Sequence, residues 1–421
     1  MGSRPLSATA STNGIVLSPV GRDSKANCER PVSRRPRNPR SLVYAVTVPS
    51  VAYSLLRGQL SYMATRGWSV TLACSPGRGL DAVRERERVE IVEIITERDI
   101  RPFQDLLSFV RWIRLLRRLR PAILNASTPK AALLSLLAGR LTGVPMRIYL
   151  VRGLRLETES GLRRRLLILM ERLSAWSATQ VVAVSPSLRE ELLSLRLTCG
   201  QDPIVLAKGS SNGVDVERIA EQTASVDRSA LRRSLGIGDS DYVVSFIGRL
   251  RPDKGALELA EAMCRPELAE DWLVTQGDIE DIRALDALKK VGRRHIALGW
   301  RNEIHSVLAI SDVLALPTHR EGFPNVVLEA AAAGVPAVTT DATGAVDSVV
   351  HGDTGLIVPT GDVVELAAAL ARLGRSPDLR QTMGARARAR ALRDFKSEVV
   401  WQAMAAIYEG GPPLSSATDG H

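Results

Sequence analysis

The sequence lacks several features that mark common protein classes. Its 421 residues contain no run approaching about 18 consecutive apolar residues, which excludes a transmembrane helix. The four cysteines form no Cys-x-x-Cys pair, so we expect neither a disulfide framework nor a zinc site. Aromatic residues make up only 4% and no nucleic-acid-binding motif is visible. The start of the chain, MGSRPLSATA, has no apolar stretch of the kind found in signal peptides, which favours a cytoplasmic location.

Positive charge is concentrated in the first half of the chain. Residues 1–40 carry eight basic and two acidic residues, a net +6, and residues 41–200 carry 24 and 13, a net +11. Residues 201–421 carry 24 and 31, a net −7. Such asymmetry predicts that one half meets an anionic surface, either nucleic acid or membrane. Residues 1–40 contain no aromatic side chain on which a base could stack.

The hydrophobic pattern divides the chain. Residues 1–40 are rich in Ser, Arg and Pro and have no periodicity, which predicts a disordered basic tail. From residue 41, apolar strand-like runs such as LVYAVTV (42–48) alternate with helical stretches, which predicts a first parallel-sheet domain over 41–205. The alternation restarts with IVLAKGS (204–210) and predicts a second domain over 206–393, with a C-terminal helix at 394–410 and a tail at 411–421.

This organisation predicts an α/β protein of two doubly wound, Rossmann-like domains. Right-handed crossovers place helices on both faces of each sheet. Ligands of such sheets bind outside the carboxyl ends of the strands, so a cleft between the two domains is the expected site.

The first motif is VVSFIGRLRPDKG, at residues 243–255. A predicted strand ends at Gly248, Arg249 follows at once, and Lys254 comes before the next helix. Two cations at the carboxyl end of a strand suit a phosphate or diphosphate ligand.

The second motif is HREGFPNVVLEAAAAGVP, at residues 319–336. Glu321 precedes a predicted helix and Glu329 lies one to two turns inside it. The free N–H groups and the dipole at the start of this helix make an anion site. Glu321 is placed to contact ligand hydroxyl groups, and Glu329 is placed to accept two hydrogen bonds from a ribose diol.

These motifs, together with GAVDSVVHGDTGLIVPTGD (344–362), resemble retaining GT-B glycosyltransferases of family GT4, and the resemblance covers nearly all of 41–410. It is strongest with bacterial enzymes that extend lipid-linked saccharides in capsule, O-antigen or phosphoglycolipid assembly. The resemblance implies a UDP-sugar donor, most often a UDP-N-acetylhexosamine, a lipid-linked saccharide acceptor, retention of configuration, and no metal or other cofactor.

The resemblance also implies roles for individual residues. Arg249 and Lys254, after Gly248, would hold the donor diphosphate, and Glu321 would contact the donor sugar and act in catalysis with these two cations. Glu329 would hold the ribose. The donor would also meet the backbone N–H groups of Gly322, Phe323, Asn325 and Val326. Pro324 would set the turn on which these groups lie.

On the acceptor side the sequence departs from the family pattern. Many relatives carry His where this chain has Arg152, and His again near Asn125. No side-chain base can therefore be named, and Arg152, Thr128 and Lys130 are the acceptor-side candidates. The Gly-Gly turn that usually follows the first strand is also missing. The corresponding stretch, residues 47–60, contains only Gly58.

A basic helix at 105–120 predicts docking on an anionic membrane, which places the protein on the inner face of the cell membrane. Three alternatives remain open: an antibiotic-pathway transferase with another UDP-sugar, a sugar-nucleotide epimerase, and a basic nucleic-acid-binding protein. The Asp239–Asp241 pair lies before a strand, away from the cleft, and is interpreted as a turn and not a metal site. The candidate membrane-facing residues are Arg111, Arg114, Arg117 and Arg118.

Overall fold

A computed structural model describes residues 37–96, 101–301 and 303–411. The predicted basic tail therefore lies outside the described residues except for residues 37–40, and so does the C-terminal tail except for residue 411. No helix in the described part of the chain is long and apolar enough to cross a membrane.

The first domain is built on a parallel sheet. Within the described residues it has seven strands in the order β3-β2-β1-β4-β5-β6-β7. The central strands are almost completely buried because helices cover both faces of the sheet, as expected for a doubly wound domain. The strands are β1 (Ser41–Ala45), β2 (Ser69–Cys74), β3 (Glu90–Glu93), β4 (Ile123–Ser127), β5 (Met146–Val151), β6 (Gln180–Ala183) and β7 (Ile204–Val205).

Seven helices accompany this sheet in the described residues. Right-handed crossovers put the helices that connect β1 to β3 on one face and those that connect β3 to β6 on the other. They are α1 (Pro49–Leu55), α2 (Gln59–Thr65), α3 (Leu80–Glu87), α4 (Pro102–Leu119), α5 (Pro129–Thr142), α6 (Gly161–Ser177) and α7 (Pro186–Ser194).

The second domain repeats the architecture. Its described strands form a six-stranded parallel sheet in the order β10-β9-β8-β11-β12-β13. The strands are β8 (Val243–Ile247), β9 (Trp272–Gln276), β10 (His295–Ala297), β11 (Val313–Leu316), β12 (Ala337–Thr340) and β13 (Gly355–Val358). The helices are α8 (Val216–Ala224), α9 (Arg228–Ser234), α10 (Ala256–Met263), α11 (Ile282–Val291), α12 (His305–Ile310), α13 (Asn325–Ala332), α14 (Val363–Gly374), α15 (Pro377–Asp394) and α16 (Ser397–Tyr408).

Two doubly wound domains are thus confirmed, and the fold is α/β of the GT-B type. One strand assignment was wrong. We expected IVLAKGS to open the second domain, but β7 pairs in parallel with β6 and ends the first sheet. The reason is that an edge strand has the same apolar run whichever sheet it joins, and only tertiary pairing decides between them.

The last helix, α16, returns to the first domain. The Trp401 indole donates to Asn212 Oδ1 at 2.7 Å in the segment between the domains. Farther along, the Tyr408 hydroxyl accepts from Asn125 Nδ2 at 2.6 Å and donates to the Tyr44 hydroxyl at 3.0 Å, inside the first domain. Gly58 has φ +75°, and a Cβ there would lie 2.6 Å from the Trp401 ring, so a glycine is needed where α16 packs.

Candidate active site

The predicted donor residues meet at the carboxyl edge of the second sheet. β8 leads to the turn that carries Arg249 and Lys254, while β11 leads to Glu321 and the start of α13. A glycine makes the two loops converge. Gly255 has φ +74°, and a Cβ there would stand 1.9 Å from the carbonyl oxygen of Pro317 at the end of β11. Only a residue without a side chain allows this approach.

The convergence places Lys254 against Glu321. Lys254 Nζ lies 2.5 Å from Glu321 Oε1, and both side chains are mostly buried. A charge-assisted hydrogen bond of this kind is short and strong, and it fixes the positions of the two groups relative to each other. The ammonium group can meet a phosphate, and the carboxylate can accept hydrogen bonds from sugar hydroxyls.

Arg249 lies farther from this pair. Its guanidinium is half-exposed and sits 3.6 Å from Glu280 Oε2, which also contacts Arg251 at 3.3 Å. The exposed position leaves Arg249 able to turn toward an anion in the cleft, since surface ion pairs of this kind are weak.

The start of α13 faces the same space. Gly322, Phe323 and Pro324 are buried, and the Phe323 ring packs against Phe395, with 5.2 Å between ring centroids. The Phe323 side chain is therefore part of the core, and only its backbone is available to a ligand. Because the first N–H groups of a helix have no partner within the helix, Asn325 and Val326 begin an anion-binding end.

Glu329 lies one turn inside α13 and lines a cavity of about 240 Å³ between the domains. Burial raises its pKa to about 7, while the charges of Arg57 and Arg218 act in the opposite direction. Arg57 comes from the first domain, and it lines the same cavity. The carboxylate thus depends on a cation that the other domain supplies.

The acceptor-side candidates lie at the carboxyl edge of the first sheet. Arg152 follows β5; its Nη1 donates to the carbonyl of Ser211 at 3.2 Å, and burial lowers its pKa to about 10. Thr128 follows β4 and its hydroxyl is 2.7 Å from that of Thr47. Lys130 pairs with Asp105 at 2.6 Å, so the ammonium is already held within its own domain.

The two edges touch beside these residues. A Cβ on Gly322 would lie 2.2 Å from the carbonyl oxygen of Arg152, so the β5 loop packs directly on the loop before α13. Arg320 Nε also donates to Thr158 Oγ1 of the first domain at 3.1 Å. The two domains are therefore in direct contact at this side of the cleft.

Sequence reasoning missed two residues of the interface. One is Arg57, whose neighbour Glu329 is far away in the chain. The other is Glu157, which lies between β5 and α6 and faces Thr343 of the second domain; burial raises its pKa to about 7. No local signal marks either residue, because both acquire their surroundings only when the domains pack together.

The remaining sequence assignments can be placed briefly. His319 Nε2 lies 2.7 Å from Glu258 Oε1, near the donor loop. Asp241 accepts from the backbone N–H of Gly238 at 2.9 Å in the turn before β8, at the amino end of the strand. Within the described ranges, no group of three or more His, Cys, Asp or Glu side chains is arranged to hold a metal ion. The four candidate membrane-facing arginines, Arg111, Arg114, Arg117 and Arg118, are all exposed on α4.

Family profiles match both domains. The profile described as "Glycosyl transferases group 1" matches residues 227–390, and "Glycosyl transferase 4-like domain" matches residues 55–207. Their boundary falls between the two sheets.

Curated relatives match over most of the chain. A capsular polysaccharide biosynthesis glycosyltransferase, CapM of Staphylococcus aureus, is 33% identical over 88% of this chain and 97% of its own length. The UDP-Gal:alpha-D-GlcNAc-diphosphoundecaprenol alpha-1,3-galactosyltransferase of Escherichia coli is 28% identical over 66% of this chain and 72% of its own length.

Solved structures share the fold at low sequence identity. Anabaena HepE in complex with UDP-glucose has a TM-score of 0.71 and 19% identity, covering 88% of this chain and 99% of that one. Sucrose-phosphate synthase from Thermosynechococcus elongatus has a TM-score of 0.72 and 15% identity, covering 88% and 98%. The motifs, the two-domain fold and the full-length match to CapM agree, and the chain belongs to the GT4 glycosyltransferases, in the bacterial group of capsular and lipid-linked-saccharide enzymes.

Proposed function

We propose that this protein transfers a sugar, an N-acetylhexosamine, from a UDP-sugar to a lipid-linked saccharide of the polyprenyl or phosphoglycolipid type. The reaction retains the anomeric configuration, needs no metal, and takes place at the inner face of the cell membrane. The observation that carries the proposal is the pairing of Lys254 with Glu321 at 2.5 Å beside the start of α13.

The donor half of the proposal rests on charge. A diphosphate placed between Lys254, Arg249 and the first N–H groups of α13 meets two cations and a helix dipole. These groups offset the negative charge that grows on the leaving diphosphate, which is the task a divalent metal performs in other transferases. Glu329 would accept the ribose hydroxyls. The E. coli relative is named for a UDP-sugar, and HepE is seen with UDP-glucose; both support UDP as the nucleotide.

The proposed chemistry balances within the substrates. The bond between the sugar C1 and the diphosphate oxygen breaks, and its electron pair leaves with UDP. The acceptor hydroxyl forms a new C1–O bond on the same face of the sugar. Its proton passes to an oxygen of the departing phosphate, so no side-chain base is required. Glu321 holds the sugar hydroxyls near C1, and Lys254 stabilises the leaving group.

The acceptor half rests on the relatives and on the first domain. CapM acts in capsule assembly and the E. coli relative acts on a diphosphoundecaprenol-linked sugar, according to their names. The first domain, which carries the acceptor-side candidates Arg152 and Thr128 after its strands β5 and β4, belongs to the strongly basic half of the chain. A basic half suits an acceptor that carries a diphosphate in an anionic membrane.

The test is an assay of the purified protein with a panel of nucleotide sugars, polyprenyl-diphosphate saccharides and EDTA. Mass spectrometry identifies the product, and the C1–H1 coupling in NMR reports its anomeric configuration. We expect one UDP-N-acetylhexosamine to react in the presence of EDTA, with an α-linked product from an α-linked donor.

Each other outcome has a defined meaning. Transfer only with another UDP-sugar onto a phosphoglycolipid would place the enzyme in antibiotic assembly. A free sugar that is released without acceptor and is epimerised relative to the donor sugar would indicate an epimerase. Inverted product, or activity abolished by EDTA and restored by Mg²⁺, would contradict the mechanism. Glu321→Gln, whose turnover we expect to be strongly reduced, is assayed beside the wild type in every arm.

A further inference from the structure

The helices on one face of the first sheet expose an unusual surface. α5 lies between α4 and α6 and is mostly buried, so α4 and α6 form the two outer ridges of this layer. On α6, Leu162 is 81% exposed and Leu169 is 53% exposed. On the first turn of α4, Phe103 is 74% exposed. We call this surface the α4–α6 face.

The exposed leucines of α6 follow helical spacing. Leu162, Leu166 and Leu169 recur at intervals of four and three residues, and so they share one side of the helix. Leu167 on the other side is buried against the domain. Single exposed leucines are ordinary on protein surfaces, but a stripe of them on a helix marks a surface that binds something apolar.

The charge of the same helices is predominantly positive. Together α4 and α6 carry eight arginines and two acidic residues. Both acidic side chains are engaged, since Asp105 pairs with Lys130 of α5 and Glu171 is buried against the Tyr149 hydroxyl. The arginines are Arg111, Arg114, Arg117 and Arg118 on α4 and Arg163, Arg164, Arg165 and Arg172 on α6.

We infer that the α4–α6 face inserts its apolar side chains into the headgroup region of an anionic phospholipid bilayer. Leucines interleaved with arginines, with no free carboxylate on the two helices, match the interfacial side of such a membrane. A second copy of this chain is the other apolar partner to consider. A symmetric contact would bring the same arginines face to face, and the repulsion of like charges disfavours it.

The location of the face fits the substrate. Helices of a doubly wound domain begin at the carboxyl edge of the sheet, so Phe103 and Leu162 lie at the ends of α4 and α6 that border the cleft. This inference deepens the proposed function and rests on it. With the α4–α6 face in the bilayer, a lipid-linked acceptor would reach the cleft directly from the membrane.

Insertion and simple charge attraction make different predictions. Arginines alone would hold the protein at the surface only at low salt, because the Debye length shortens to a few ångströms near 1 M. Inserted leucines contribute a part that salt does not remove. The sequence pointed to the arginines of α4; the structure adds the leucines of α6.

The test is co-sedimentation of the full chain with vesicles of phosphatidylglycerol and phosphatidylcholine, without donor or acceptor. We expect binding that falls but persists at about 0.5 M NaCl. The double variant Leu162→Ser/Leu169→Ser should bind at least about tenfold more weakly at both salt concentrations. The matched control is Ile282→Ser/Val364→Ser, two exposed apolar side chains of the second domain at 67% and 54%, which should bind as the wild type does.

Three results would overturn the inference: no binding by the wild type, equal binding by the leucine variant, or equal losses in both variants. Light scattering after gel filtration checks the alternative; an oligomer that only the leucine variant abolishes, without vesicle binding, would make the face a contact between copies. Unchanged thermal unfolding and UDP binding would show that the variants are folded. Failure of the proposed function would appear separately, as no transfer by the wild type to a short-chain acceptor in detergent.

Discussion

Lys254 Nζ and Glu321 Oε1 lie 2.5 Å apart, although 67 residues separate them in the chain. The pair joins the phosphate-binding turn after β8 to the loop before α13. A donor diphosphate that binds Lys254 competes with the Glu321 carboxylate for the ammonium group. Binding would then release Glu321 to accept hydrogen bonds from the sugar, so the ion pair links the two halves of donor recognition.

Loss of the Glu321 carboxylate should affect turnover far more than nucleotide binding. We expect Glu321→Gln to lower kcat by roughly 100-fold, because the carboxylate meets the sugar near the reacting carbon. The affinity for UDP, measured by calorimetry, should stay within about threefold of the wild type, since UDP lacks the transferred sugar that Glu321 contacts. Glu270→Gln, at an exposed site, is the control. Wild-type turnover by Glu321→Gln would place the donor sugar elsewhere.

Loss of the Lys254 ammonium should weaken the binding of UDP itself. A hydrogen bond to a charged group contributes about 1.5–3 kcal/mol, so Lys254→Ala should raise the Kd for UDP about tenfold to hundredfold. Lys289→Ala removes an exposed lysine of α11 and should leave the Kd unchanged. The same calorimetric titration measures both variants. Unaltered UDP affinity in Lys254→Ala, combined with lost turnover, would mean that the lysine acts on the sugar and not on the diphosphate.

The affinity for UDP should depend on the ionisation of Glu329. Burial raises the pKa of Glu329 to about 7, and only the ionised carboxylate can accept hydrogen bonds from a ribose diol with both of its oxygens. UDP binding should therefore strengthen as pH rises from 6 to 8, relative to Glu329→Gln, which has no such group. The ratio between wild type and variant removes the titration of UDP itself.

Arg57 should set the midpoint of that profile. Its positive charge favours the ionised carboxylate, so Arg57→Gln should move the midpoint to higher pH. The charge of Arg218 also lowers the pKa of Glu329, so part of the lowering remains in the Arg57→Gln variant. Arg118→Gln, on the exposed face of α4, should leave the midpoint where it is. A uniform loss of affinity in Arg57→Gln, with the midpoint unmoved, would give Arg57 a purely structural role.

The sequence predicts the parts of this molecule that depend on local pattern. Apolar runs such as LVYAVTV, alternating with helical stretches, are enough to predict two parallel sheets. The spacing of Arg249 and Lys254 places both in the turn after a strand. The spacing of Glu321 and Glu329 places the first before a helix and the second inside it. These features form within a few turns of chain, and short-range chemistry decides them.

Other features depend on packing that no local pattern records. Arg57 reaches the cavity of Glu329 only because the two domains close on each other, and β7 joins the first sheet through pairing with β6. The leucines of α6 have the periodicity of a helix that packs on two sides. Only the structure shows that Leu162 and Leu169 face outward.

The buried carboxyl group of Glu171 should make stability depend on pH. Burial raises its pKa to about 7 from an ordinary value of 4.5, while the Tyr149 hydroxyl bonds to it. Between these two values the native state binds more protons than the unfolded state. The contribution of Glu171 to the free energy of unfolding therefore falls as pH rises through this window, and it levels off above about pH 7.

Glu171→Gln removes this titration, so the Tm difference, variant minus wild type, should increase from pH 5 to pH 8. Glu157 and Glu329 also have raised pKa values, but they are present in both proteins and cancel in the difference. Glu190→Gln, exposed on α7, should give a difference that does not change with pH. Thermal unfolding followed by circular dichroism measures all three proteins. A constant difference for Glu171→Gln would mean that Glu171 titrates near its ordinary value and that its hydrogen bond to Tyr149 offsets the cost of burial.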